Sequence, residues 1–357
     1  MHCMHPSLFP YIVRIPADIE VVWCPWGGDI YTCLGTVRDD TLFPKTAAFV
    51  QEHSEPSEPS RSDQWRLRLS NLRDEMATIT ANAREDGVAA VSKALFKAFA
   101  GRVDRLFFKR SAGVDAQLRR DALMRLDAIC PIIDSDYEYI RKHCDTKAVR
   151  KDFSYGMEFS KSFSGDLNAL APELYDKVKD KFLILLGKSA SYTGNHIDAI
   201  DALASLALPE DALVICPLSY SDRVDFERYG RAVADYARLR LGNKFLPLFD
   251  LLPFETYNAL LARVGAAIMN YRWQEAVGNV ISLLYCGKKV FLNDDSDVYR
   301  MLKDQENAAY LAIPMSQLAV EALYSPPLAS DWAAQKRYIV NRWGEGSMSV
   351  FYHHLLG

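Results

Sequence analysis

The chain has 357 residues, 49% hydrophobic and 25% charged, with a formal net charge of −4. That supplies a sizeable core and length for two domains, while the slight negative balance excludes a global basic field for nucleic acid. Its cysteines, Cys3, Cys24, Cys33, Cys130, Cys144, Cys216 and Cys286, are odd in number, scattered and without a CxxC pair, so a reducing compartment is expected and a metal site is not.

Residues 1–20 carry prolines and charges instead of a continuous apolar stretch, and no later run is long and apolar enough to span a bilayer; a cytoplasmic protein is expected. Glu20 to Cys24 reads as a strand running into PWGGDIY, residues 25–31. Two glycines before an acid allow a tight turn that presents Asp29 at the strand end, either as a functional carboxylate or as a cap of the next helix. Of Trp23 and Trp26, one is expected in the core and the other beside a cleft. SEPSEPS, within residues 50–62, is polar and proline-rich and predicts a flexible loop.

A helical block follows from about residue 62 to 125. In residues 91–113, Leu95, Phe99, Val103 and Leu106 recur at helical spacing among Lys93, Lys97, Arg102, Arg105, Lys109 and Arg110. An apolar face with a basic rim suits the surface of an anionic membrane, and equally an ordinary helix packed on its own domain. Ala128 to Ile133 predicts another strand, and Asp134 or Ser135 a cap for the helix after it. The first domain is assigned to 1–160.

The second domain, 161–330, carries the densest pattern. Apolar runs at Phe182–Leu186, Leu213–Cys216, Lys244–Leu248, Ala266–Met269 and Lys289–Leu292 are separated by helix-length segments. This alternation predicts a doubly wound α/β unit, with ligand at the carboxyl ends of the strands. GKSASYTGNH, residues 187–196, follows the first of those strands: Gly187 permits a close turn, Ser189 and its neighbours offer donors, and a helix start at His196 suits a phosphate. His196 also fits a capping or packing role. Tyr220 follows the second strand, and Leu246 lies where a flat base would rest, or in the core. After Met269 come Arg272, Gln274, Glu275, Gly278 and Asn279. Gly278 lets an anion approach the next helix start, Arg272 could neutralise it, and Gln274 or Glu275 could take bonds from sugar hydroxyls. Residues 331–357 predict a helical segment, capped at Asp331, that braces the first domain, with Trp343, Phe351 and Tyr352 as anchors.

At WGGDIY, at residues 187–196 and from Gln274 to Asn293, together with RLDAICPIIDSDYEYI, CPLSY and LPFETYNALL, the sequence resembles the bacterial 4-α-L-fucosyltransferase family. These are the TDP-N-acetylfucosamine:lipid II N-acetylfucosaminyltransferases of enterobacterial common antigen synthesis. The resemblance implies a GT-B-like fold, two Rossmann-like domains around a cleft, the first of which is expected to be incomplete here because only about one strand precedes the tryptophan–glycine loop. It implies a glycosyltransferase with a nucleotide-sugar donor, expected as a dTDP-linked 4-acetamido-4,6-dideoxyhexose, and a polyprenyl-diphosphate-linked saccharide acceptor, without cofactor or metal. It places the chain peripherally on the cytoplasmic side of the inner membrane, through residues 91–113. Carried over by position, Asp29 lies on the acceptor side and is the candidate base, Ser189, His196, Tyr220, Gln274 and Gly278 lie on the donor side, and Arg272 is the candidate for the diphosphate charge. Where many GT-B donor domains place a ribose-binding glutamate, this chain has Ile281, Ser282, Leu283 and Leu284. Two other readings stay open: a non-catalytic nucleotide-sugar-binding protein, and a transferase using another nucleotide sugar. An epimerase is disfavoured because no GxGxxG opens the donor domain.

Overall fold

The computed structural model describes residues 4–36, 40–53, 115–153, 156–159, 170–221, 225–303 and 311–348. Of the loop expected at 50–62, residues 50–53 instead close a helix, Pro44–His53, because the apolar Phe49 and Val50 pack inward; the rest of it, the helix expected at 91–113, Phe351 and Tyr352 lie outside the described residues. In chain order the first elements are α1 (Phe9–Ile12), β1 (Val22–Trp23), α2 (Gly28–Leu34), α3 (Pro44–His53), α4 (Ala116–Met124), β2 (Ala128–Ile129), α5 (Asp134–His143), β3 (Val149–Arg150) and α6 (Pro172–Val178). Strands and helices then alternate through β4 (Phe182–Leu186), α7 (His196–Ala204), β5 (Ala212–Pro217), α8 (Phe226–Leu241), β6 (Phe245–Leu248) and α9 (Phe254–Arg263). The alternation continues with β7 (Ala266–Met269), α10 (Val277–Tyr285), β8 (Lys289–Leu292), α11 (Asp297–Lys303) and β9 (Ala312–Pro314), and ends in α12 (Val320–Tyr324) and α13 (Ala329–Trp343).

The chain divides into two compact units. In the smaller, His5–Ile19 with Glu55–Arg125, α1 packs against α4, and the Arg125 guanidinium donates to the Pro16 and Ile19 carbonyls at 2.7 and 2.6 Å. The larger unit holds two parallel sheets. One has three strands in the order β1-β2-β3 and the other six in the order β6-β5-β4-β7-β8-β9.

The six-stranded sheet explains the unbroken apolar runs. Helices cover both of its faces, so neither face can be polar. Side chains alternate between the two layers: Leu183 and Leu185 of β4 join Ala267, Met269, Val290 and Leu292 in one cluster, with α9, α10 and α13 over them. Ile184 and Leu186 join Val214, Cys216, Ile268 and Phe291 in the other, under α7 and α8. Each such buried leucine or isoleucine stabilises by about 1.5–3 kcal/mol. Strand order reverses between β4 and β7, which opens a crevice at their carboxyl ends.

Several boundaries differ from expectation. The strands at Glu20–Cys24 and Ala128–Ile133 pair only over Val22–Trp23 and Ala128–Ile129. Each is followed by a Cys-Pro step, and Pro25 and Pro131 lack the N–H needed to extend the ladder. Asp134 is the first residue of α5, whose cap is Ile133, and Asp331 lies in the first turn of α13, whose cap is Leu328. Both acids therefore face the positive helix start without capping it. Along α13, Gln335 donates to the Leu284 carbonyl at 2.9 Å and accepts from the Leu311 N–H at 3.1 Å, and Trp343 is buried.

Helix α3 was not foreseen in its position. It lies on α7 and α8, contributing Phe49 to the second core layer, and its Thr46 N–H and hydroxyl both donate to Asp198 of α7 at 2.8 and 2.6 Å. Asn195, at the start of α7, completes the join. Its Oδ1 accepts from the Phe43 N–H at 2.7 Å, and the two hydrogens of its Nδ2 are shared among the carbonyls of Thr41 at 3.0 Å, Thr193 at 2.9 Å and Asn270 at 3.0 Å. Asn195 is fully buried and left-handed, with φ of 47°. Asn195→Ala should lose about 3 kcal/mol in denaturant unfolding, since several buried backbone groups lose their partner. Asn195→Gly tolerates the backbone but lacks the amide, and should recover no more than about 1 kcal/mol of that loss. Full recovery in the glycine variant would mean that the backbone conformation, and not the amide, matters.

Candidate functional site

The loops after β4 and β7 meet at the crevice. Gly187 ends β4 with φ of 66°, and a Cβ there would stand 3.0 Å from His196 Nε2 and 3.6 Å from the Tyr271 hydroxyl. This close approach requires glycine. The next residue, Lys188, donates its backbone N–H to the Tyr271 hydroxyl at 3.1 Å. Its ammonium stands 3.3 Å from Glu275 Oε1 and 5.7 Å from the Tyr220 ring centroid. The other carboxylate oxygen, Glu275 Oε2, accepts from the Thr193 hydroxyl at 2.5 Å and from the Trp273 indole N–H at 2.7 Å. Beside them α10 begins; a Cβ on Gly278, in its first turn, would meet nothing within 4 Å, so the approach to that helix start is open. A cation, a carboxylate and an open helix N-terminus at one strand edge suit a diphosphate that carries a hydroxyl-rich group.

The expected residues fall into distinct settings. Tyr220 is exposed beside Lys188, and Gly278 and Glu275 border the open space. Leu246 is half-buried against the first core layer. Asn279 donates to the Tyr257 hydroxyl at 3.0 Å, fixing α10 to α9. Ser189 is buried, so its hydroxyl does not line the edge as the sequence suggested. His196 is likewise fully buried beneath the loop, wedged between Gly187 and Gly194, with Nδ1 3.1 Å from the Tyr229 hydroxyl. Burial pushes its imidazole down to about 4, against the smaller opposing effect of the Ser189 main chain.

Arg272 also has a specific setting. Its guanidinium donates to the Asp40 carbonyl at 2.9 Å, lies 4.6 Å from the Phe43 ring centroid and stands 4.0 Å from Asp295. It clasps the segment that Asn195 also holds. Lys188 is a cation at this edge that the sequence analysis does not single out; its only local mark is its place directly after the turn glycine of the central strand.

The tryptophan–glycine loop lies against the same region. Trp23 is buried and Trp26 43% exposed, which settles which of the pair is core. Asp29 accepts from the Met4 N–H at 3.0 Å and the Trp23 indole at 3.0 Å through Oδ2, and from the Trp26 N–H at 2.7 Å through Oδ1. Burial pushes its carboxyl above the ordinary aspartate value, opposed by these donors. Gly27, with φ of 93°, approaches Gln274 so closely that a Cβ would fall 2.8 Å from the Gln274 carbonyl oxygen and collide with its side-chain amide. Gln274 is 7% exposed, and its Oε1 has no hydrogen-bond partner among the described residues. The Tyr31 ring of α2 lies 4.9 Å from that of Trp273. Among the described residues no cluster of histidine, cysteine or carboxylate groups forms a metal site.

Comparison with known proteins identifies the family and the fold. Residues 115–321 match the family described as 4-alpha-L-fucosyltransferase, glycosyl transferase group 56. No curated protein matches the sequence. Among solved structures, Anabaena HepE in complex with UDP and glucose is similar at 13% identity and TM-score 0.53, over 99% of this chain and 94% of that one. The UDP-forming α,α-trehalose-phosphate synthase of Burkholderia xenovorans is similar at 14% identity and TM-score 0.52, over 67% of this chain. This chain covers 62% of that synthase's length. The N-terminal domain of Candida albicans trehalose-6-phosphate phosphatase gives 14% identity and TM-score 0.51, over 98% and 93% of the two chains. These likenesses show the fold, that of the GT-B glycosyltransferases.

The depressed His196 value has a direct consequence for stability. Between about pH 4 and the ordinary histidine value near 6.5 the unfolded chain binds the proton and the folded chain does not. Stability should therefore rise with pH across that window, by a few kcal/mol from this group, and be complete above it. His196→Gln should remove that part of the slope in urea titrations between pH 4 and 7; an unchanged slope would show that His196 does not cause it.

Proposed function

The chain belongs to the 4-alpha-L-fucosyltransferase family, glycosyl transferase group 56, and from that premise we propose that it moves a 4-acetamido-4,6-dideoxyhexose from a dTDP-sugar to a polyprenyl-diphosphate-linked saccharide. The product would serve surface polysaccharide synthesis of the enterobacterial common antigen type. The observation that carries this reading is the Lys188–Glu275 pair at the β4–β7 reversal, next to the open helix start at Gly278. HepE, of the same fold, was solved with a nucleoside diphosphate and a sugar together, which supports a donor of that class here.

In the proposed reaction the acceptor hydroxyl attacks the anomeric carbon and the bond to the diphosphate breaks, so negative charge grows on the departing nucleoside diphosphate. The N–H groups opening α10 meet that charge without reorganisation, and the Lys188 ammonium joins them, at a place already polar. Arg272 supports them by fixing the 40–43 segment and the loop after β7, and its charge adds to the local potential. The Tyr220 ring and the Leu246 edge are assigned to the nucleobase. Asp29 is assigned as the base that takes the acceptor proton: burial makes its carboxylate more basic, and the three N–H donors hold it in place.

No described helix is long and apolar enough to cross a membrane. The lipid-linked acceptor is proposed to be met by peripheral association on the cytoplasmic face of the inner membrane, through the lysine- and arginine-rich sequence at residues 91–113.

Calorimetry with dTDP, UDP and GDP tests the donor assignment. We expect dTDP to bind tightest and Lys188→Met to weaken it at least tenfold; equal, weak binding of all three would contradict the assignment. For the base, Asp29→Asn should bind dTDP within about twofold of wild type yet transfer sugar at least about 100-fold more slowly, with thermal unfolding followed to confirm the fold. A folded Asp29→Asn protein that transfers at the full rate removes Asp29 from that role.

A further inference from the structure

Glu275 is held unevenly. Its Oε2 is fixed by two donors from separate loops, Thr193 at 2.5 Å and Trp273 at 2.7 Å. Its Oε1 has a single described partner, the Lys188 ammonium, at the looser distance of 3.3 Å. The carboxylate cannot swing away with the lysine, because Oε2 is tied to the polar turn after β4 and to the loop after β7. Lys188, by contrast, hangs on a flexible stem with three rotatable donors and lies near the Tyr220 ring. The pair is partly shielded, with side-chain exposures of 21% for Lys188 and 13% for Glu275, so each charge matters to the other more than at an open surface.

We propose that Glu275 is a positioning residue that holds Lys188 in the empty site and gives it up to an arriving diphosphate. Its freed Oε1 then accepts a hydroxyl of the sugar attached to that diphosphate. This rests on the nucleotide-sugar reading above for the identity of the ligand, but the exchange itself requires only a diphosphate. Two anions compete for one ammonium: the carboxylate, already in place, and the phosphate oxygens, which gain the helix start at Gly278 as well. The exchange therefore costs part of the diphosphate's affinity and returns an acceptor atom aimed at the space beside it. Trp273 adds a second consequence. Its indole N–H is bound to Glu275, and its ring rests on Tyr31 of the acceptor-side helix α2, so the carboxylate that senses the diphosphate is also braced from the acceptor side.

The distinguishing readout is a gain of affinity, which damage to the fold would not produce. Wild type, Glu275→Gln, Lys188→Met and the double variant are titrated with dTDP and, separately, with inorganic pyrophosphate. Glu275→Gln should bind both about fivefold more tightly, since Lys188 no longer has a competing carboxylate, and the gain should shrink as salt is raised. Lys188→Met should bind both more weakly, and adding Glu275→Gln to it should bring no gain. The proposal is overturned if Glu275→Gln binds pyrophosphate equally or more weakly, or if it tightens binding equally without Lys188. Lys188-dependent pyrophosphate binding with the expected gain but no preference for dTDP would leave the exchange standing and overturn the nucleotide assignment alone. Absence of binding to both probes would overturn both.

Discussion

The edge at the β4–β7 reversal depends on the buried amide of Asn195. Placed between β4 and α7, it joins four stretches of chain: the strap at 41–43, the turn containing Thr193, Asn270 just after β7 and, through the Asn270 side-chain oxygen, the Asn293 amide just after β8. A left-handed backbone at a helix start is costly for most residues and tolerable for asparagine, whose short amide satisfies nearby carbonyls. Once that join is made, the loops bearing Lys188 and Glu275 stand at a fixed separation. The strap is held a second time by Arg272, on the Asp40 carbonyl and the Phe43 ring. The edge is thus rigid on its flanks and open at Gly278.

Rigidity of this kind suits a transfer reaction. Charge develops on a leaving diphosphate, and groups that need no rearrangement stabilise it most. Lys188 is the exception, because its partner in the empty site is a carboxylate. That exception is informative: a partly shielded ion pair at a strand reversal contributes little to folding, but it keeps a cation in place until a stronger anion arrives. The tryptophan–glycine loop is built on different physics. Asp29 collects N–H donors from three parts of its own surroundings, and Gly27 brings the backbone against Gln274 where no other residue would fit.

The six-stranded sheet was legible in the sequence because both its faces are covered. Phe182–Leu186, Ala266–Met269 and residues 290–292 are apolar without interruption, and unbroken runs between helix-length segments have few other solutions. The first sheet was less legible. Its paired stretches are two residues long and stop at Cys-Pro steps, so buried apolar character at Ile132 and Ile133 extended the expected strand beyond the ladder. Of the site, the glycines and Glu275 could be read because backbone approach and helix starts leave a local mark. The inward turn of Ser189 and His196 could not, since it depends on Tyr229 and on the two glycines that flank the imidazole. Nor could the placement of α3 on α7, which rests on Thr46 finding Asp198 across 152 positions of sequence.

The central claim is that Lys188 and the start of α10 receive a diphosphate at the β4–β7 reversal. Its most direct test is a crystal structure of the chain with bound dTDP. The account predicts phosphate oxygens within about 3 Å of Lys188 Nζ and of the N–H groups near Gly278, with Lys188 withdrawn from Glu275 and Glu275 still bound to Thr193 and Trp273. A diphosphate bound elsewhere, with the Lys188–Glu275 pair intact, would contradict it.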